Sequence, residues 1–254
     1  MNTITICRKE LLSYFRSPIA YGVMTFFAVL SGLFFYLFVG SFMQYSIQSQ
    51  MNGQSQPISV NDAVIRPLLS NISVIGLFLI PMITMRLFAE EKRTGTYELL
   101  ATSPIHDWEI ILGKWVAALL LYAAILGISL ISILMLFAYG KPDWRPLLVG
   151  YLGLLLLGGS LLSVCTYISS CTKNQIVAGV AGFSVCLLLW VINSISEFQD
   201  SLWAKGVGYL SVLQHFESFS KGVLDLKDII FFLSVIFAGL FLTARSLESL
   251  KWRA

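Results

Sequence analysis

The chain has 254 residues, of which 57% are hydrophobic and only 12% charged, with a formal net charge of +3 and a mean hydropathy of +0.79. So few charges cannot cover a water-exposed surface, which excludes a soluble domain, and Lys and Arg scattered at span edges are no nucleic-acid footprint. The composition is that of an all-α integral membrane protein forming one membrane domain over residues 1–254.

In chain order, Met1 to Ser17 comes first. Ile4, Cys7, Leu11, Leu12 and Phe15 recur there at helical spacing, with Arg8, Lys9 and Arg16 largely between them. This pattern predicts an amphipathic helix lying at the membrane interface. No small-residue cleavage pattern follows, so the segment is expected to be retained. Ser17-Pro18 breaks the helix and opens the next one.

Apolar stretches predict six spans at about residues 19–43, 67–85, 115–140, 147–171, 176–195 and 229–244. Gln44 to Arg66, rich in Gln, Ser and Asn, reads as a loop in water. The connector 172–175 is tight, so spans four and five are expected to be antiparallel neighbours. Glu197 to Asp228 mixes polar residues with Trp203, Tyr209, Phe216 and Phe219, which suits short helices at the interface. Lys227 and Arg245 are expected to snorkel at the ends of the short last span.

Six spans put both termini on one side of the membrane. That side would hold Arg8, Lys9, Arg16, Arg86, Lys92, Arg93, Lys114, Lys173, Arg245, Lys251 and Arg253, against Arg66, Lys141, Arg145, Lys205, Lys221 and Lys227 on the other. The positive-inside bias therefore predicts cytoplasmic termini.

Catalytic chemistry finds little support. Gly113-Lys114 is followed by Trp115 and Gly140-Lys141 by Pro142, so no phosphate-binding loop is formed and the chain is not expected to hydrolyse nucleotide. His106 and His215 fall in polar segments, away from any intramembrane nucleophile, and no buried carboxylate cluster is expected to relay protons. Cys7, Cys165, Cys171 and Cys186 lack zinc-ligand spacing and read as small buried hydrophobes. The methionines have no repeated spacing, so no metal site and no bound cofactor are expected. Gly150, Gly153, Gly158, Gly159, Ser160 and Ser163 in the fourth span predict close helix packing.

The densest polar patch is Arg86 to Lys114, between spans two and three. Ser103-Pro104 has the form of a helix cap, with Asp107 and Glu109 complementing the dipole, so span three is expected to start at Pro104. Thr96 to Thr102 could form a short helix after a flexible Gly95. On pattern alone the stretch reads equally as a docking element or as a solvated loop.

The run from Ile80 to Leu100, with Thr102-Ser103-Pro104 and Gly113-Lys114, resembles the ABC-2-type permeases, and within them the gliding-motility permease group. Ser17-Pro18-Ile19-Ala20-Tyr21, Lys173 to Ala178, His215 to Phe219 and Lys221 to Asp225 agree with it. Ala101 departs from the motif, where a larger aliphatic residue is usual.

The resemblance implies the permease subunit of an ATP-driven exporter or mechanical transducer in the inner membrane of a bacterium. It implies a second permease copy, identical or paralogous, and two ABC ATPase subunits that bind the ATP and magnesium. Coupling to the ATPase would fall on Glu90, Glu91, Arg93, Gly95, Thr96, Glu98, Leu99, Leu100, Thr102 and Pro104. His215, Phe216, Glu217, Phe219 and Asp225 would belong to an extracytoplasmic segment facing a possible auxiliary protein. Membrane lipid is the remaining partner. The alternative is an ATP-independent scaffold anchoring an extracytoplasmic protein.

Overall fold

Ser17-Pro18 separates the first two helices, because proline lacks the amide that would continue α1 and its fixed φ suits the first turn of a new helix. The computed structural model describes residues 2–51, 59–96, 105–139, 142–198, 208–209 and 211–251. In it α1 is Asn2–Arg16 and α2 is Pro18–Met51. A π-helical turn, Asn61–Ile65, leads into α3, Arg66–Thr84, and the short α4, Ala89–Thr94, follows. Then come α5, Asp107–Tyr139; α6, Trp144–Cys171; α7, Gln175–Phe198; α8, Val212–Ser220; and α9, Leu226–Lys251. The described residues are helical apart from short connectors, and six helical stretches are long and apolar enough to cross a membrane.

Several helices outrun the hydrophobic spans. α2 has 34 residues, about 50 Å at 1.5 Å per residue against about 30 Å of hydrocarbon. Gln44 to Met51, expected in a loop, is thus a helical extension. α9 likewise runs 26 residues. Its Arg245 pairs with Glu248 at 2.9 Å and lies 5.2 Å from the Phe241 ring centre. Ile105 and His106 are not helical, so α5 starts at Asp107 rather than at Pro104. His106 occupies the cap position, its amide donating to Glu109 Oε2 at 3.4 Å, as in one half of a capping box.

α6 runs through the centre, packed along α9, α3, α8, α7 and α5. Its small residues permit this. A Cβ built at Gly150, Gly153 or Gly158 would overlap Leu69, the Phe219 ring and the Tyr122 ring respectively. On the α9 side, a Cβ at Gly239 would come within 2.6 Å of Ser163 Oγ. The expected close packing is therefore realised against α3, α8, α5 and α9. Gly158→Ala is expected to lower stability by about 1–3 kcal/mol, read as a fall in thermal midpoint in detergent. An unchanged midpoint contradicts the tight α5–α6 contact.

One expectation about side chains is corrected for two residues. Cys165 and Cys186 are buried free thiols, but Cys171 is exposed at the end of α6 and Cys7 is half-buried. Two charged residues just outside the expected spans, Lys114 and Asp228, are each 1% exposed, because each has found polar partners across the bundle.

Candidate functional site

Among the described residues, the polar stretch between spans two and three is buried from Leu87 to Ala89 and exposed from Arg93 to Thr96. Pro81 removes an amide from α3, and the helix stops three residues later. Met85 to Phe88 form a turn in which Phe88 leaves helical geometry at φ −122°. The first amides of α4 would be orphaned there. Ser169 of α6 supplies the cap, its Oγ accepting from Phe88 N and Ala89 N at 3.3 Å each. Lys92 Nζ donates to the Ser170 carbonyl, tying α4 to the end of α6. Gly95, at φ +74°, closes α4 in the left-handed conformation, which a flexible loop would not require.

Lys114 is the centre of the site. Its Nζ donates to Glu91 Oε1 at 2.8 Å, Glu10 Oε1 at 3.0 Å and the Leu87 carbonyl at 2.8 Å. All three ammonium hydrogens are thereby used. The Phe88 ring lies 5.3 Å away and excludes water from one side. The cluster carries one cation and two carboxylates, and Glu91 Oε2 has no partner among the described residues. One ammonium therefore joins α1, the turn before α4, α4 itself and α5.

Gly113 makes this junction possible. A Cβ there would lie 2.9 Å from Ile6 and 3.0 Å from the Thr3 carbonyl, so only glycine lets α1 lie this close along α5. Asn2 Nδ2 donates to Glu109 Oε2 at 3.1 Å at the other end of that contact. Nearby, Arg86 donates to Glu90 at 3.0 Å and to Ser17 Oγ at 3.2 Å. The Tyr14 hydroxyl donates to the Ile83 carbonyl at 3.2 Å. Burial pushes that phenol far above its usual range, with the Glu10 carboxylate adding to the effect.

Of the residues singled out for coupling, Glu91 belongs to the Lys114 cluster and Glu90 pairs with Arg86 beside it, while Arg93, Gly95 and Thr96 are exposed. Thr96 Oγ1 lies 3.0 Å from Thr94 Oγ1. Glu98, Leu99, Leu100, Thr102 and Pro104, with the Ser103-Pro104 cap, lie outside the described residues. Glu10 and Lys114 were not singled out as partners. Their signal was available: Glu10 is the one acid on α1, and Lys114 stands between Gly113 and a long apolar run.

A second polar cluster lies at the other end of the bundle. Ser211 caps α8 by accepting from Gln214 N at 3.4 Å, and α8 packs against α6 through Phe216 and Phe219, both buried. His215 turns toward α9, with Nδ1 2.7 Å from Asp228 Oδ1 and Nε2 3.0 Å from the Tyr209 carbonyl. Its ring stacks on Phe231 at 3.9 Å. A carbonyl only accepts, so Nε2 carries a hydrogen, and the Nδ1 contact needs a second one between ring and carboxylate. His215 is thus a buried clamp between α8 and α9. Glu217 is exposed, 2.7 Å from Lys221 and 3.5 Å from Arg66, and Asp225 pairs with Lys227 at 3.1 Å.

Comparison with known proteins locates both clusters relative to a shared domain. The family described as ABC-2 family transporter protein matches residues 4–201, which takes in α1 through α7 and the whole Lys114 junction but not the His215 clamp. Two proteins named as the probable multidrug ABC transporter permease YbhR, from Escherichia coli K12 and Escherichia coli O157:H7, are 27% identical to the chain over 168 residues. The match covers 65% of this chain and 44% of each relative, so it spans less than half of their length.

Proposed function

The chain belongs to the ABC-2 family of transporter proteins, and from that premise we propose that it is the permease subunit of an ATP-driven ABC transporter whose ATP hydrolysis, with magnesium, resides in a separate ATPase. The observation that carries the proposal is the Lys114 junction, where α1, α4 and α5 meet on one buried ammonium. A push on the segment after Gly95 has a rigid path through Glu91 and Lys114 into the long helix α5. Such coupling requires the ATPase to favour one arrangement of this junction over another.

On this reading the α1 end and both termini face the cytoplasm of a bacterium whose inner membrane holds the protein, α1 lies at the interface, and residues 96–102 dock into the ATPase. Two permease copies and two ATPase subunits complete the assembly. The α8 region faces an auxiliary protein on the far side, and the gliding-motility group is the nearest subgroup. The naming of the Escherichia coli relatives as multidrug permeases supports export as the mode of action.

The test is co-purification in mild detergent followed by ATPase assay in proteoliposomes. A nucleotide-binding subunit is expected to co-purify, and Glu98→Arg combined with Leu99→Pro is expected to uncouple hydrolysis from transport while insertion is unchanged. Full coupling in the inserted double variant overturns the docking role. Absence of any nucleotide-binding subunit overturns the permease reading in favour of a scaffold.

A further inference from the structure

α1 carries three bases and one acid, and the structure sorts them by side. Glu10 turns inward to Lys114, while Arg8, Lys9 and Arg16 face outward with no ion pair among the described residues. These three, with Arg86 of the turn after α3, line one open cavity of about 660 Å³ that also exposes Ser13 and Ser17. Of these four cations only Arg86 has a carboxylate partner among the described residues, Glu90. An acceptor-rich anion is what such a cavity lacks.

The cavity adjoins a narrow apolar crevice of about 20 Å³, room for little more than one water molecule. Ser17 and Arg86 line both, and beyond them the walls are Ile19, Val23, Met82, Leu121 and Ile125 of α2, α3 and α5. Beside the bases, Ile4, Leu12 and Phe15 of α1 are exposed at 76%, 48% and 39%. A free inorganic anion would use the cations and leave these side chains unexplained. An amphiphile uses all of them.

We propose that this groove is a binding site for one anionic phospholipid, its phosphate held by Arg8, Lys9, Arg16 and Arg86 and its acyl chains laid against Ile4, Leu12 and Phe15 of α1. Guanidinium groups suit a phosphate diester because they donate paired N–H bonds in a plane. Basic residues beside exposed apolar ones on a surface helix are the pattern that selects anionic over zwitterionic lipid. A bound lipid would brace α1, and through Glu10 the Lys114 junction, so the site sits where it can set how firmly that junction is held. The site needs the six helices to lie in a bilayer but not an ATPase, so its test stands apart from the transport assay.

The experiment uses the full chain alone, exchanged into nanodiscs of equimolar phosphatidylglycerol and phosphatidylcholine, with retained lipid read by native mass spectrometry. Wild type is expected to retain phosphatidylglycerol in preference to phosphatidylcholine. Arg8→Gln with Arg16→Gln, both exposed and outside the packed core, is expected to reduce that preference roughly thirty-fold. Leu12→Gln with Phe15→Gln, which removes exposed apolar surface without touching a charge, is expected to reduce phosphatidylglycerol retention as well. Inorganic phosphate added in excess is expected not to displace the lipid. Equal retention of the two lipids by wild type, a preference unchanged in the Arg variant, retention unchanged by Leu12→Gln with Phe15→Gln, or displacement by phosphate would each overturn the proposal.

Discussion

Lys114→Met is expected to destabilise the protein by about 3–5 kcal/mol, the cost of leaving buried charge without its counterion. Methionine keeps the apolar stem, so the loss falls on the ammonium. Glu10 and Glu91, whose side chains are 15% and 14% exposed, would then face one another in a pocket closed by Phe88. The readout is the thermal midpoint in detergent, together with coupled ATPase activity after reconstitution. Glu91→Gln is the control: the cluster already has an excess carboxylate and an unpartnered Glu91 Oε2, so removing one negative charge is expected to cost much less. The triple variant Lys114→Met with Glu10→Gln and Glu91→Gln is expected to regain most of the midpoint. A triple variant no more stable than Lys114→Met would show that the ammonium acts through packing alone.

Asp228→Leu is expected to have an effect of similar size, about 3–5 kcal/mol, at the opposite end. Leucine fills the space of the carboxylate but leaves His215 Nδ1 buried against it with no partner, while Nε2 still faces the Tyr209 carbonyl. The comparison that isolates the pair is the double variant His215→Phe with Asp228→Leu. A phenyl ring can keep the stack on Phe231, and with both side-chain partners gone only the partly buried Tyr209 carbonyl loses its donor, so this variant is expected to be more stable than Asp228→Leu. The double-mutant cycle on thermal midpoints should return a coupling of about 0.5–3 kcal/mol. Additive effects would mean that the clamp between α8 and α9 rests on the aromatic contacts and not on the shared hydrogen.

How far each element was legible depended on the range of the force that specifies it. The break at Ser17-Pro18 was legible because proline acts on its own residue and its neighbour. The apolar spans were legible because transfer from water to hydrocarbon is summed residue by residue. The glycines of α6 were legible as packing sites because a missing side chain has no other use in a buried helix. Helix ends were less so: Gln44 to Met51 stays helical past the hydrophobic run, and α5 starts only after His106. Polarity alone does not end a helix.

The candidate site was half legible. The motif from Ile80 to Leu100 drew attention to the right stretch, yet charge density there suggested a surface, and Leu87 to Ala89 are packed inside. Ser169 caps α4 from about 80 residues away, and Glu10 meets Lys114 across 104 residues. Neither contact leaves a periodic trace in the chain.

By itself, then, the sequence determined that the protein is helical, that it crosses the membrane, and that it carries the permease motif, since each rests on local hydropathy and on residue identity. Which charges are solvated and which are buried was decided only by the tertiary structure. A buried ion is tolerated only where its partners converge, and convergence is a property of how helices pack. Gly113 is the hinge between the two levels: a residue chosen in the sequence, whose consequence, α1 laid close enough for Glu10 to reach Lys114, exists only in the fold.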